Sequence, residues 1–181
     1  MIKIYSWIDG SVLHKGDFET IKELLEDGVK NGISFNYAEL NNAQLYYAEL
    51  NNAKLNYAEL NDAELNNAEL NNAQLNNAEL NNAKLNFAKL NNAQLNNAEL
   101  NCAKLNYAEL NDAQGKVFYI AYFGHHHCIA TATHISIGCE RHTVKYWLKN
   151  YKEIGLKYGY SKSELTMYGA WIKTVSENLA A

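Results

Sequence analysis

Long hydrophobic runs are missing from this 181-residue chain. Nowhere do 18 apolar residues follow one another, which excludes a membrane-spanning helix on length alone. The opening MIKIYSWIDGSVLHKG has neither an extended apolar stretch nor a small-residue cleavage site, so the sequence predicts no signal peptide. Cysteine is scarce: Cys102, Cys128 and Cys139 form an odd set, and a complete disulfide framework needs an even one. Together these absences predict a soluble protein of a reducing compartment, the cytoplasm. No glycine-rich nucleotide signature occurs, and GDFETIKELL is not a phosphate loop. Long runs of like charge are absent too. The net charge of -4 divides into -2 over residues 1–35 (4 Lys, 6 acids), -6 over 36–115 (4 Lys, 10 acids) and +4 over 116–181 (8 Lys and Arg, 4 acids). Without a charged run, that asymmetry makes no nucleic-acid-binding tail.

What is present is repetition. From NYAEL at 36–40 to NDAQG at 111–115 the chain divides into sixteen blocks of five residues, and NGISF at 31–35 reads as a seventeenth with Phe35 in the leucine place. Leucine closes every block from Leu40 to Leu110, with alanine two residues before it. In an α-helix, a step of five rotates the leucines by about 140° and scatters them round the cylinder. In a flat strand an odd step sends alternate leucines to opposite faces. A common interior exists only if the chain turns a corner once per block. Alanine and leucine then point inward, while the residue between them and the two asparagines face out or line the corner. Each turn buries its apolar side by stacking on the next, which defines a solenoid.

The blocks, read as AELNN, AQLNN and AKLNY, resemble the pentapeptide-repeat family, whose pattern is Ala-(Asp/Asn)-Leu-x-x. The resemblance covers about 80 of the 181 residues. It implies an all-β solenoid core: a right-handed quadrilateral β-helix with four blocks per coil and about four coils. One departure is plain. The place before leucine, Asp or Asn in the family, is Glu, Gln or Lys in blocks 36–115, so the family's partner contacts do not carry over with it.

Open solenoid ends expose backbone and apolar groups, so the flanks are expected to be caps. Residues 1–32 are read as an N-terminal cap, with a short strand in MIKIYSWIDG and a helix starting at Asp17 and stopping at Gly32. Residues 33–115 are the repeat. Residues 116–181 are read as a C-terminal cap: a β-hairpin from KVFYIAYFG and CIATATHISIG, then helices in RHTVKYWLKNYKEIG and SKSELTMYGAWIKTVSENLAA. Ser161 and Glu164 have the spacing of a capping box. WIDGSVL and IGCERHTVKYWLKNYKEIG also resemble segments of pentapeptide-repeat proteins carried by phages and prophages, a group with no activity to transfer.

At twenty residues per coil, Glu39, Glu59, Glu79 and Glu99 fall in one outward column without an opposing charge. Aligned like charges are costly unless solvent screens them or something binds them, and calcium is the cation whose irregular oxygen shell suits such a face. A weaker metal candidate is zinc at Cys139 and His142, within GHHHCIATATHISIGCERH. No residue set is assigned to catalysis, and no small-molecule substrate, nucleic acid or membrane is expected as partner. The expected function is a non-enzymatic structural or interaction module that presents flat polar faces to an unidentified protein or to itself. A homodimer through the aromatic-rich C-terminal cap is expected. The alternative is a DNA-mimicking protein that binds or inhibits DNA gyrase, an activity implied by the family resemblance alone.

Overall fold

The structure is a computed structural model that describes residues 1–115, 119–123, 126–130, 133–138 and 140–180. It divides into two units, Met1–Gly115 and Lys116–Ala181.

In the first unit the five-residue blocks wind so that residues twenty apart become neighbours. The residue before each leucine forms a parallel bridge with its counterpart one turn on, as in Gln44 with Glu64 and Glu64 with Lys84. Two hydrogen bonds frame each bridge: Glu64 N–H donates to Ala43 C=O and Leu45 N–H to Glu64 C=O, both at 2.9 Å. The corner between blocks is a four-residue turn. Ala43 N–H donates to Leu40 C=O at 3.1 Å, and the same bond recurs block after block. Its third residue has positive φ at all sixteen corners from Tyr37 to Asp112, between 54° and 65°, the pattern of a type II turn. Asparagine and aspartate visit this left-handed region most readily among non-glycine residues, and they fill ten of the sixteen places.

The interior matches the periodicity. Leu45 to Leu95 and Ala48 to Ala93 are at most 2% exposed at their repeat positions, and Phe35 is fully buried in the leucine place. Leu110, in the last full block, is half-buried.

Ahead of the repeat, β1 (Ile2–Tyr5) and β2 (Val12–Gly16) form an antiparallel pair, followed by α1 (Ile21–Lys30). The helix begins later than the sequence reading placed it. Thr20, not Asp17, is the N-cap, because Thr20 and Glu23 form a reciprocal capping box that satisfies orphan donors of the first turn. Leu24 and Leu25 are buried, and Gly28 lets Phe35 approach so closely that an added Cβ would stand 2.3 Å from its ring. β1 then runs onto the repeat: Ser6 bridges Ala38 antiparallel, and Glu39 N–H donates to Tyr5 C=O at 2.9 Å.

The second unit corrects the expected hairpin. β3 (Tyr119–Phe123), β4 (His126–Ala130), β5 (His134–Ile137) and β6 (Glu140–Thr143) form one antiparallel meander in the order β3-β4-β5-β6. CIATATHISIG supplies parts of two strands, which suits ordinary strand lengths. The residues ERHT, in part read as helix, form a polar strand without the apolar alternation that would announce one. α2 (Val144–Lys157) starts behind them with Thr143 as N-cap, and α3 (Lys162–Ala180) follows. Ser161 and Glu164 exchange capping-box bonds, with Ser161 N–H to Glu164 Oε2 at 2.7 Å. Cys128, Ile135, Ile137, Trp147, Tyr168, Ile172 and Val175 form the core of this unit, with Trp147 Nε1–H donating to Ile135 C=O at 2.7 Å. Among the described residues no helix is long and apolar enough to cross a membrane.

The packing predicts that Leu85→Ala costs about 2–5 kcal/mol, because the interior leaves a cavity. Gln74→Ala, at an outward position, should stay within about 0.5 kcal/mol. Chemical denaturation of both variants measures the difference, and equal losses would contradict the inward assignment of leucine.

Candidate interaction faces

The outward residue of each block defines four columns. Glu39, Glu59, Glu79 and Glu99 stand in successive bridges along one, with no lysine among them. A second carries Gln44, Glu64, Lys84 and Lys104, a third Glu49, Glu69, Lys89 and Glu109, and a fourth Lys54, Gln74, Gln94 and Gln114. Charge of both signs is therefore distributed by column: four carboxylates lie on one, and mixed or nearly neutral sets on the others. Two neighbours of opposite charge pair. Lys84 Nζ lies 2.6 Å from Glu64 Oε1, and Lys89 Nζ 2.8 Å from Glu69 Oε1. The Lys89 ammonium, followed by the Asn51 amide, holds the Glu69 carboxyl below its ordinary value, and Glu69 in turn holds Lys89 above its own.

The first asparagine of each block does more than line a corner. Its Oδ1 accepts the backbone N–H of the asparagine twenty residues later: Asn36 from Asn56, Asn56 from Asn76 and Asn76 from Asn96, at 3.0 to 3.1 Å. Equivalent chains run from Asn41 through Asn61 and Asn81 to Asn101, from Asn51 to Asn111 and from Asn66 to Asn106. The Nδ2 donors reach sideways. Asn41 donates to Glu59 at 2.6 Å, Asn61 to Glu79 at 2.8 Å and Asn81 to Glu99 at 3.0 Å. Asn56 and Asn76 donate to the side-chain oxygens of Gln74 and Gln94. The outward surface is thus a fixed polar lattice. Sequence reasoning placed these asparagines at the corners without this role; their recurrence at the same place in nearly every block was the signal.

Aromatic side chains occupy two corner columns. Tyr37 and Tyr57 stack at 4.9 Å with 12° between planes, and Trp7 meets Tyr37 edge-on at 6.0 Å. Phe87 and Tyr107 stack at 4.9 Å and 13°, and Tyr107 is 80% exposed.

The expected metal residues fare differently. The glutamate column assembles in register, and the carboxylates of Glu59, Glu79 and Glu99 each accept an asparagine amide. Of the zinc pair, Cys139 lies outside the described residues. His142 Nε2 faces Glu140 Oε2 at 3.0 Å, and its ring packs 4.3 Å from Tyr146. The Tyr158 hydroxyl also donates to Glu140, and these two contacts hold the Glu140 carboxyl below its ordinary value. Cys128 is buried, which pushes its thiol up to about 12, so it is neither a ready nucleophile nor a thiolate ligand. Cys102 is disulfide-bonded: an odd cysteine count rules out a complete framework, not a single bond. Among the described residues no group of three or more His, Cys, Asp or Glu side chains is disposed to hold a metal ion.

The aromatics of the second unit are mostly packed within it. Trp147 and Tyr168 are buried, and Tyr151, Tyr160 and Trp171 pack partly buried against that core. Tyr146 and Tyr158 are exposed.

Residues 43–82 and 78–113 match the sequence model of the family described as Pentapeptide repeats, in eight copies, so this part of the chain carries pentapeptide repeats. Solved structures similar to it are pentapeptide repeat proteins. Rfr23 from the cyanobacterium Cyanothece 51142 is 35% identical over 44% of this chain and 54% of its own, with a TM-score of 0.44. HetL from Nostoc sp. strain PCC 7120, involved in heterocyst differentiation regulation, is 34% identical over 46% and 40%, with a TM-score of 0.45. A further pentapeptide repeat protein from Nostoc PCC 7120 is 27% identical over 57% and 79%, with a TM-score of 0.26. The chain thus spans about half of the first and less of the second. No curated protein matches it.

Two expectations follow from the geometry. Asn76→Asp keeps an acceptor for Asn96 N–H but sets an oxygen against Asn56 Oδ1 and Gln94 Oε1, so it should destabilise by about 1–3 kcal/mol; denaturant midpoints equal to the native protein's would contradict the ladder. The Glu69 carboxyl is depressed in the folded state. Its contribution to stability is therefore present above the unfolded value and lost as pH falls through the depressed one. Lys89→Met should raise its titration midpoint toward the ordinary value, read by carboxyl NMR, and an unmoved midpoint would refute the pairing.

Proposed function

We propose that this protein is a non-enzymatic interaction module. Its repeat, residues 33–115, is a right-handed quadrilateral β-helix of about four coils, closed at its N-terminal end by residues 1–32, and it offers flat polar faces to a macromolecular partner. Residues 116–181 form a separate sheet-and-helix unit whose exposed Tyr146 and Tyr158 supply contacts for self-association. The bridge interval of twenty residues, four blocks, supports the four-sided coil.

The observation that carries the functional reading is the polar lattice. Asparagine amides and backbone donors hold the outward side chains in place across the turns. Ordering side chains at an interface costs about 0.5–1.5 kcal/mol each, so a surface ordered before contact binds with less loss. Flatness and regular spacing suit another macromolecule's surface. The column of Glu39, Glu59, Glu79 and Glu99 is the face that distinguishes partners by charge, since a basic surface gains there and an acidic one is repelled. The duplex-DNA mimic is the weaker reading, because the Lys84–Glu64 and Lys89–Glu69 pairs interrupt the acidic surface.

Affinity capture with the native chain, a variant with all four column glutamates changed to Gln, and a Gln74→Ala, Gln94→Ala control tests the proposal. Proteins retained by the native chain and the control but lost from the glutamine variant are the expected result. Equal retention by all three, or none by any, would overturn the face as the recognition surface. Inhibition of gyrase supercoiling by the native chain would replace this reading with DNA mimicry, and light scattering across protein concentrations measures self-association.

A further inference from the structure

The N-terminal edge of the repeat is closed unevenly. In later turns the residue before each leucine directs its N–H and C=O at the turn before it, as Glu64 does toward Ala43 and Leu45. The first turn has no predecessor, so these groups need substitutes. Glu39 N–H finds Tyr5 C=O at 2.9 Å, where the chain end of β1 crosses antiparallel. Glu49 N–H finds the Glu26 carboxylate, also at 2.9 Å. Between them, the N–H and C=O of Gln44 and the C=O of Asn41 have no hydrogen-bond partner among the described residues. A groove of about 500 Å³ stands over this stretch, with Ile21 and Lys22 of α1 on one side and Leu40, Ala43, Gln44 and Tyr46 on the other.

We propose that this groove takes an extended peptide segment of a partner protein, added as a strand along residues 43–45. Three features select that occupant. The unpaired donor and acceptor of Gln44 are those a strand satisfies, and unpaired edges are templates for strand addition. Across the corner at Asn41 and Asn42, the preceding block is already met in this way by the chain's own Ser6, which bridges Ala38 antiparallel. The walls set Ile21, Leu40 and Ala43 beside a single lysine and a single glutamate, Glu39. A neutral backbone with one bulky apolar side chain fits them, whereas a polyanion gains little. Ile21 and Lys22 of α1 line the groove beside Gln44. Successive side chains of the added strand point to opposite faces, so only alternate residues of the segment meet the apolar wall.

The proposal rests on the interaction-module reading and names a partner chemistry for it. It is tested with synthetic peptides, so its failure leaves the face variants above unaffected. The probes are a capped peptide of the β1 sequence, Ile-Lys-Ile-Tyr-Ser-Trp, and a capped Thr-Val-Thr-Leu-Thr-Val-Thr, titrated into the full-length isotope-labelled protein. Saturable shifts of the Gln44 and Asn41 amide resonances are expected with at least one probe. Gln44→Pro removes an N–H that bonds to nothing within the chain, so the melting temperature should hold while affinity falls about tenfold, the effect of one hydrogen bond. Ile21→Glu, which charges the wall, should weaken binding without touching the edge. An unmoved Gln44 amide with both peptides at millimolar concentration would overturn the proposal. So would binding that neither variant weakens. A Gln44 shift that follows protein concentration without peptide would assign the groove to a second copy and overturn the peptide partner.

Discussion

Everything in the repeat depends on a corner that the backbone turns every five residues. A positive φ at the third residue of each turn bends the chain while leaving the next three residues extended. With the corners spaced five residues apart, the N–H and C=O groups meet partners twenty residues away. Buried backbone groups must be paired, and this winding pairs them with no conventional sheet. The same geometry sets the interior. A coil of five-residue sides is narrow, so leucine fills it and alanine is the largest neighbour it tolerates without overpacking.

The outward surface follows from the same stacking. Because turns repeat in register, identical residues come to lie above one another, and a polar side chain can serve the turn beneath it. Asparagine has both a donor and an acceptor, so one side chain caps a backbone N–H and reaches a neighbouring carboxylate. Glutamate alone would leave a column of unrelieved repulsion. The amides from Asn41, Asn61 and Asn81 give the Glu59, Glu79 and Glu99 carboxylates partners, which offsets part of that repulsion. Of the four lysines of the repeat, Lys84 and Lys89 pair with the glutamate one turn earlier. Surface rigidity and surface charge therefore have one origin.

The ends obey a different logic. A stacked ladder has no natural terminus, and two first-turn N–H groups find substitutes: a strand end at Glu39, a carboxylate at Glu49. The described residues after Gly115 fold on ordinary principles, with a meander, two helices and an apolar core around Trp147 and Tyr168. Their histidines and cysteines draw attention in the sequence, but His142 is held by a carboxylate and an aromatic ring, and Cys128 belongs to the core.

The sequence by itself determined the period, the inward leucines and alanines and the outward columns. A five-residue step admits one packing solution, and interior and exterior follow from it. It also located α1 and the capping box at Ser161. Tertiary structure decided what needs partners distant in sequence. That Asn76 ties Asn56 to Asn96 depends on coils being stacked at hydrogen-bonding distance, and no local propensity encodes it. The strand at Glu140–Thr143 has no periodic signal, because its neighbour β5 and not its own side chains makes it a strand. The helix start moved to Thr20 through a reciprocal bond with Glu23. The open edge at Gln44 shows the distinction most clearly: its residues follow the same pattern as other blocks, and the placement of β1 and α1 leaves its N–H and C=O without a partner among the described residues.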